Sequence, residues 1–378
     1  MPHDNLFMPH NMGDLVVPNR VFLAPLTRNR AHDDGTPWAH AAIYYAQRAS
    51  AGLIISEAVD ISPLAKGYIK TPGIYNDSHV AGWQPITAAV HASGGRIYCQ
   101  LGHVGRIRHT SIEPAGEPPV APSAIRADAR TFTHEGFEAV STPRALGVDE
   151  IDEIVEDYAH ATRCAVRAGF DGVEIHSANG YLLNQFLHQG SNTRADDYGG
   201  AIENRCRLTL RVVDRVIQEI GAGRVSIRLS PNAEVHDVDE PDTQQLYGYL
   251  VDELDKRGLA YLHFIESFDG IDSDPDKAAT IEAIRKHWHG FYVANGDYSA
   301  ETAAKAIADG WCHAVAIGRL FIANPDLPSR WYHHVALNEP NDDTFYGGTH
   351  EGYTDYPFAT LGRDDNHDRV QQSSDENP

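Results

Sequence analysis

The chain has 378 residues, 42% of them hydrophobic, and a formal charge of −22 from 53 acidic against 31 basic residues. That balance argues against nucleic acid and anionic membrane surfaces as partners, because no basic excess is available to neutralise phosphates. No apolar run is long enough to span a bilayer, the N-terminus carries no secretory signal, and the four cysteines form no CxxC pair. The expectation is therefore a cytoplasmic protein without disulfide framework or structural metal.

In chain order, short β-branched runs at 21–26, 52–58, 96–102, 172–178, 224–230, 261–267, 290–296 and 314–320 alternate with amphipathic stretches. Several runs, such as GLIISEA and AVAIGRL, are almost continuously apolar, as parallel strands covered on both faces should be. The clearest helix follows Gly147: Asp149 is placed to cap it, Ile151, Ile154, Val155 and Tyr158 repeat at helical spacing, and Gly169 ends it. Strict alternation predicts an α/β fold, a single (β/α)8 TIM barrel over residues 1–360. A Pro- and Gly-rich insertion at 103–146, after the third strand, reads as a lid or active-site wall, and the polar tail 361–378 as disordered.

In such a barrel the chemistry sits where the strands end. The ends here read Thr27–Arg28, Glu57–Ala58, Gln100, His176 to Asn179, Arg228, Asn295–Gly296 and Gly318–Arg319. Gly296 with Gly318 and Arg319, after the seventh and eighth strands, fits a phosphate site of backbone N–H groups plus one guanidinium. His176 and Asn179 can aim donors at one oxygen, with the phenol of Tyr181 as a neutral acid beside them. Gln100 and Arg228 are costly on buried strands unless partnered. They suit an imide edge and an anionic ring, or could satisfy each other or nearby carbonyls.

At this point the chain resembles the old yellow enzyme family of FMN-dependent ene-reductases, over about residues 19–358. The motifs are NRVFLAPLTRNRA, YYAQRASAGLIISEA, TPGIY, GGRIYCQLGHVGR, AGFDGVEIHSANGYLLNQFL, SNTRADDYGGAIENRCR, RLSP, GRLFIANPDL and FYGGTHEGYTDYP. The bacterial branch with morphinone and nitrate-ester reductases shares its flavour. The resemblance implies tightly bound, non-covalent FMN and NAD(P)H as hydride donor. Pro25, Leu26 and Thr27 would lie against the flavin, Ala58 beside it, and Gln100 and Arg228 on its pyrimidine edge. Asn295, Gly296, Gly318 and Arg319 would hold the phosphate. His176 and Asn179 would bind the activating oxygen of an enone or nitroalkene, Tyr181 would protonate the alkene after hydride arrives from flavin N5, and Tyr346 would line the pocket. Nitro compounds or nitrate esters are further substrates it implies. The chain departs from the family at Gly102, where most relatives carry Trp, a change that should enlarge the pocket, and at Ala294, where the usual phosphate turn begins with Gly.

Two other readings compete. A metal-dependent barrel hydrolase or aldolase would use Glu174, His176, His263 and Glu266, although the one HxH, His287 to His289, lies at the wrong end. A non-catalytic phosphate-ligand barrel would not need His176, Asn179 and Tyr181 together. The expected state is monomer or homodimer. Only six of the basic residues are lysine, a balance that fits either a salt-adapted surface or an ordinary acidic enzyme.

Overall fold

In the computed structural model, residues 3–112, 116–267 and 274–360 are described. Eight parallel strands close into a barrel: β1 Val21–Leu23, β2 Ile54–Asp60, β3 Ile97–Gly102, β4 Gly172–Ser177, β5 Val225–Leu229, β6 Tyr261–Ile265, β7 Tyr292–Asn295 and β8 Ala314–Ile317. β8 pairs with β1 through Val315–Val21, Ala316–Phe22 and Ile317–Leu23, which completes the ring. All eight expected runs are strands, shorter than expected at several ends. β1 stops before Pro25, which has no N–H to give the ladder, and β8 stops where Gly318 turns the chain into helix Arg319–Ala323. The tail 361–378 lies outside the described residues.

The helix after the insertion spans Val148–Arg167 and buries Ile151, Ile154, Val155, Tyr158, Ala161 and Cys164 against the barrel. Its cap differs from expectation. Asp149 lies inside the first turn, and the helix starts from Gly147, whose N–H donates to the Glu150 carboxylate at 2.7 Å. Three residues further into the chain, a carboxylate can reach back to the free N–H where Asp149 cannot. At the other end the chain turns away at Gly169, with φ +90°.

The two mouths of the barrel are built differently. At the N-terminal mouth, the hairpin His10–Met12/Leu15–Val17 packs Met12 and Val17 with Phe22, Tyr98, Tyr261 and Phe291 into a dry plug. At the C-terminal mouth stands the 103–146 insertion, which forms the hairpin Arg130–Thr133/Gly136–Ala139 and a short parallel pair of Val120–Ala121 with Arg144–Ala145. Its Ala127 and Val140 pack with Val104 and Ile107 against Tyr68 and Tyr181. The insertion is thus a wall of the cavity at that mouth. The GHVGR motif anchors it: a Cβ on Gly105 would lie 2.2 Å from Gln185 Oε1, and Arg106 donates to the carbonyls of Ile125, at 3.2 Å, and Asp237, at 2.5 Å. Among the described residues no helix is long and apolar enough to cross a membrane.

Candidate active site

A cavity opens at the C-terminal mouth, between β2, β3, β4 and the loops that follow the first four strands. Thr27, Ala58, Gly102, His176 and Tyr181 line it, as the sequence reading placed them at one rim. Asp60, Tyr68, Thr71, His103 and Val104 also line it, and that reading missed them. Tyr68 and Thr71 lie in the loop after β2. The only sequence signal for them was its position at the same rim.

His176, near the end of β4, is 4% exposed, and its Nδ1 has no partner. Burial, reinforced by the Arg228 guanidinium, lowers its pKa to about 3. The imidazole is therefore neutral and keeps a single N–H to offer. Asn179 follows in the left-handed region at φ 58°, a conformation that Asn tolerates better than most side chains. Its N–H donates to Ser230 Oγ at 2.8 Å, and its side-chain Oδ1 is buried without a partner.

Tyr181 lies edge-on to the His176 ring, with centroids 5.1 Å apart. Burial pushes its phenol up to about 12, so it stays protonated. The Tyr181 and Tyr68 hydroxyls are 3.1 Å apart, and Tyr68 reaches His236 Nε2 at 3.5 Å. His236 Nδ1 donates to the Asn179 carbonyl at 2.7 Å, which leaves Nε2 as an acceptor. The hydroxyls can therefore run in one direction, Tyr181 to Tyr68 to His236. Tyr346 is 62% exposed and is not among the residues found lining the cavity, although its phenol stands close enough to raise that of Tyr181. It belongs to the outer approach.

The other strand ends form a polar floor. Gln100 and Arg228 do not satisfy each other. Gln100 Nε2 donates to Glu174 at 2.8 Å, and Arg228 Nη2 donates to Asn295 Oδ1 at 2.7 Å. Asn295 Nδ2 continues to the Ala316 carbonyl at 2.8 Å. Arg228 Nε is buried without a partner, and burial lowers the guanidinium to about 10, still charged near neutrality. Around the corner a Cβ on Gly296 would meet the Ser267 carbonyl at 3.2 Å, and one on Gly318 would meet Leu26 Cδ2 at 3.2 Å. Arg319 is exposed, 3.7 Å from Asp297. Pro25 is buried, with Leu26 and Thr27 half-buried beside it.

Apart from His176, the residues of the metal reading are engaged otherwise. Glu174 accepts from Gln100, from Tyr261 at 2.9 Å and from His263 Nδ1 at 2.9 Å. Burial would raise Glu174, but His263 and Arg228 outweigh it and hold the carboxyl below its usual range. Burial meanwhile holds His263 down, so this is a neutral imidazole donating to a carboxylate. Glu266 accepts from Tyr292, Tyr298 and Trp311 at 2.7, 2.7 and 2.9 Å. His287 and His289 bond Asp252 and Asp255, each at 2.9 Å.

The NADH:flavin oxidoreductase / NADH oxidase family model matches residues 5–338. Rice 12-oxophytodienoate reductase 1 (Oryza sativa subsp. japonica) is 45% identical over 359 residues, 93% of each chain. Arabidopsis thaliana 12-oxophytodienoate reductase 2 is 41% identical, across 93% of this chain and 95% of its own. Morphinone reductase in complex with tetrahydroNAD superposes with a TM-score of 0.90 at 50% identity, covering 95% of this chain and 99% of that one. An old yellow enzyme homologue from Zymomonas mobilis gives 0.90 at 44% identity, covering 93% and 99%. With its eight-stranded barrel and this rim, the chain belongs to the NADH:flavin oxidoreductase / NADH oxidase family, as an oxidoreductase of the old yellow enzyme type.

Proposed function

We propose that the protein is an FMN-dependent ene-reductase, which uses a reduced nicotinamide to saturate alkenes conjugated to a carbonyl or nitro group. The observation that carries the reading is a neutral His176 with an unpartnered ring nitrogen beside a protonated Tyr181 on one cavity, with the Asn179 amide three residues along from the imidazole. When bound, FMN supplies the two-electron exchange between nicotinamide and alkene.

The residues fit that group. The unpartnered Arg228 Nε and the Gln100 amide suit the polar edge of the ring, and Pro25, Leu26, Thr27 and Ala58 suit its faces and rim. The tight glycines 296 and 318, with Asn295 and the exposed Arg319, suit its phosphate. His176 and Asn179 bind the activating oxygen and stabilise the negative charge that develops on it. Keeping the imidazole neutral lets it donate one hydrogen bond without carrying a proton into the site.

Tyr181 gives its proton to the substrate carbon, and the Tyr68 hydroxyl, 3.1 Å away and itself next to His236 Nε2, holds the phenol oxygen in place. The insertion wall excludes water from this exchange. Gly102 lines the cavity without a side chain, where a Cβ would meet only ordinary contacts at 3.7 to 3.9 Å.

Purified protein should be yellow, release FMN on denaturation, and have its reduced form reoxidised by cyclohexenone. Replacing His176 and Asn179 together by Ala should slow that reoxidation by roughly 10²–10³-fold. A colourless protein without FMN, or a parental rate in the double variant, would overturn the reading.

A further inference from the structure

The Tyr181 hydroxyl continues outward from the cavity. It is 3.1 Å from the Tyr68 hydroxyl, which in turn stands 3.5 Å from His236 Nε2. His236 comes from the loop after β5 and is half-buried, its ring centroid 5.2 Å from that of Tyr181. Three loops thus bring two phenols and an imidazole together, and both phenols line the cavity.

The imidazole is fixed from two sides. His236 and Asp237 take φ values of 58° and 57°, left-handed conformations that cost residues other than glycine. The Arg106 guanidinium of the insertion donates to the carbonyls of both, and the Asp128 N–H donates to the Asp237 carboxylate at 3.1 Å. Opposite, Gly180 makes the close approach possible, since a Cβ there would lie 2.7 Å from His236 Cβ.

The groups around the ring are Tyr68 from the loop after β2, Arg106 from the insertion, and the Asn179 carbonyl, Tyr181 and His176 from the end of β4. The Nδ1–H is committed to the Asn179 carbonyl at 2.7 Å. Nε2 is therefore the ring nitrogen whose proton can come and go. Burial and the Arg106 charge keep the ring below its ordinary 6.5, so it is neutral at pH 7 and charges on the acid side of 6.5.

The state of Nε2 sets the direction of both hydroxyls. A bare Nε2 accepts from Tyr68, Tyr68 accepts from Tyr181, and the Tyr181 proton points out of the cavity. A protonated Nε2 donates to Tyr68, Tyr68 donates to Tyr181, and the Tyr181 proton is free to point at the substrate. The 3.5 Å separation would shorten as the donor gains charge. Nδ1 keeps its bond in both states, so Asn179 is undisturbed.

We propose that His236 is a positioning residue for proton delivery: through Tyr68 it sets whether the Tyr181 proton faces the substrate carbon or turns away from it. In the delivering state the C–H bond forms as the Tyr181 O–H bond breaks, and the phenolate that remains accepts from Tyr68. This inference rests on the ene-reductase reading for the role of Tyr181, but it concerns the proton and is measured separately from hydride transfer.

The test is a single turnover of the dithionite-reduced holoprotein, in excess, with 1-nitrocyclohexene between about pH 5.5 and about pH 8. Flavin absorbance reads hydride arrival, and the ultraviolet decay of the substrate nitronate reads protonation. The ratio of the second rate to the first should rise about fivefold or more from the alkaline to the acid end. His236→Gln keeps a donor and an acceptor but does not titrate, and should lose that rise. Tyr68→Phe removes the acceptor for the Tyr181 proton and should flatten the profile as well. A flat profile in the parent protein, or the parental rise in His236→Gln, would overturn the proposal. If the nitroalkene still reoxidises the flavin, such a result leaves the ene-reductase reading standing. Absence of reoxidation would sink that reading and the proposal with it.

Discussion

Glu266 and His176 stand near the C-terminal ends of barrel strands, and both are buried, at 0% and 4% exposure. Their surroundings are opposite. Glu266 is filled by two phenols and an indole N–H, whereas His176 faces the cavity with one ring nitrogen unpartnered. The contrast separates a polar group that holds the fold from one kept for a ligand, because an unpaired buried polar atom costs stability that a ligand can restore. In the sequence the two are alike: one polar residue each at the end of an apolar run.

The comparison can be broken in four places. The largest effect is expected at its saturated end. Glu266→Leu strands Tyr292, Tyr298 and Trp311 and should cost about 3 kcal/mol or more in denaturant unfolding. A loss under about 1 kcal/mol would mean that the three donors find other partners.

Glu57 lies between the extremes. It is 5% exposed, and its carboxylate takes the Arg28 N–H at 3.2 Å. Burial outweighs that bond and the nearby charges of Arg28 and Arg30, and pushes it up to about 7 from an ordinary 4.5. Between those pH values the folded state holds more protons than the unfolded one, so this group's contribution to stability falls as pH rises from 4.5 to 7 and is flat above. The full difference is about 3 kcal/mol. Glu57→Gln should remove that slope, seen as unfolding midpoints of parent and variant that diverge across this window. Parallel pH profiles would contradict the assignment.

At the ligand end, Arg319 is exposed and its one ion pair is long. Arg319→Ala should therefore leave stability within about 0.5 kcal/mol. FMN affinity, followed by fluorescence titration of the apoprotein, should drop by about tenfold or more. Unchanged affinity would remove Arg319 from the phosphate site.

The smallest effect concerns the surface. With −22 charges and six lysines, screening should relieve self-repulsion, so melting temperature should hold or rise by a few degrees from low to molar KCl. Activity should follow it. A steep fall in activity while the protein stays folded would mark an ordinary acidic surface.

The barrel was legible because periodicity and alternation survive every insertion, and because a β-branched run reads the same whatever surrounds it. His176, Asn179 and Tyr181 were legible for a second reason: they sit within six residues on one strand end. Asp60, Tyr68 and His236 were not. Each comes alone from a different strand end or loop, and only the pairing of β2 with β3 and of β3 with β4 brings Tyr68 to the Tyr181 hydroxyl and Asp60 beside Gly102. The Asp149 cap failed for a smaller reason, since a side chain two residues away from Gly147 acts equally well on paper as one three away, and geometry prefers the latter.

The two arginines of the first βα loop reach across the chain. Arg28 donates to the carbonyls of Phe345 and Gly352, each at 2.9 Å, and Arg30 to those of Thr344, Thr349 and Glu351 at 3.0 to 3.1 Å. Tyr353 stacks on Tyr44 with centroids 4.3 Å apart. These acceptors leave the ribosome after all eight strands have been made. A nascent barrel can therefore close while Arg28 and Arg30 still lack their final partners, and the outer approach to the cavity takes shape last. Assembly of the scaffold and completion of the site are separate events in the life of this chain, joined by two guanidinium groups that wait for its C-terminal segment.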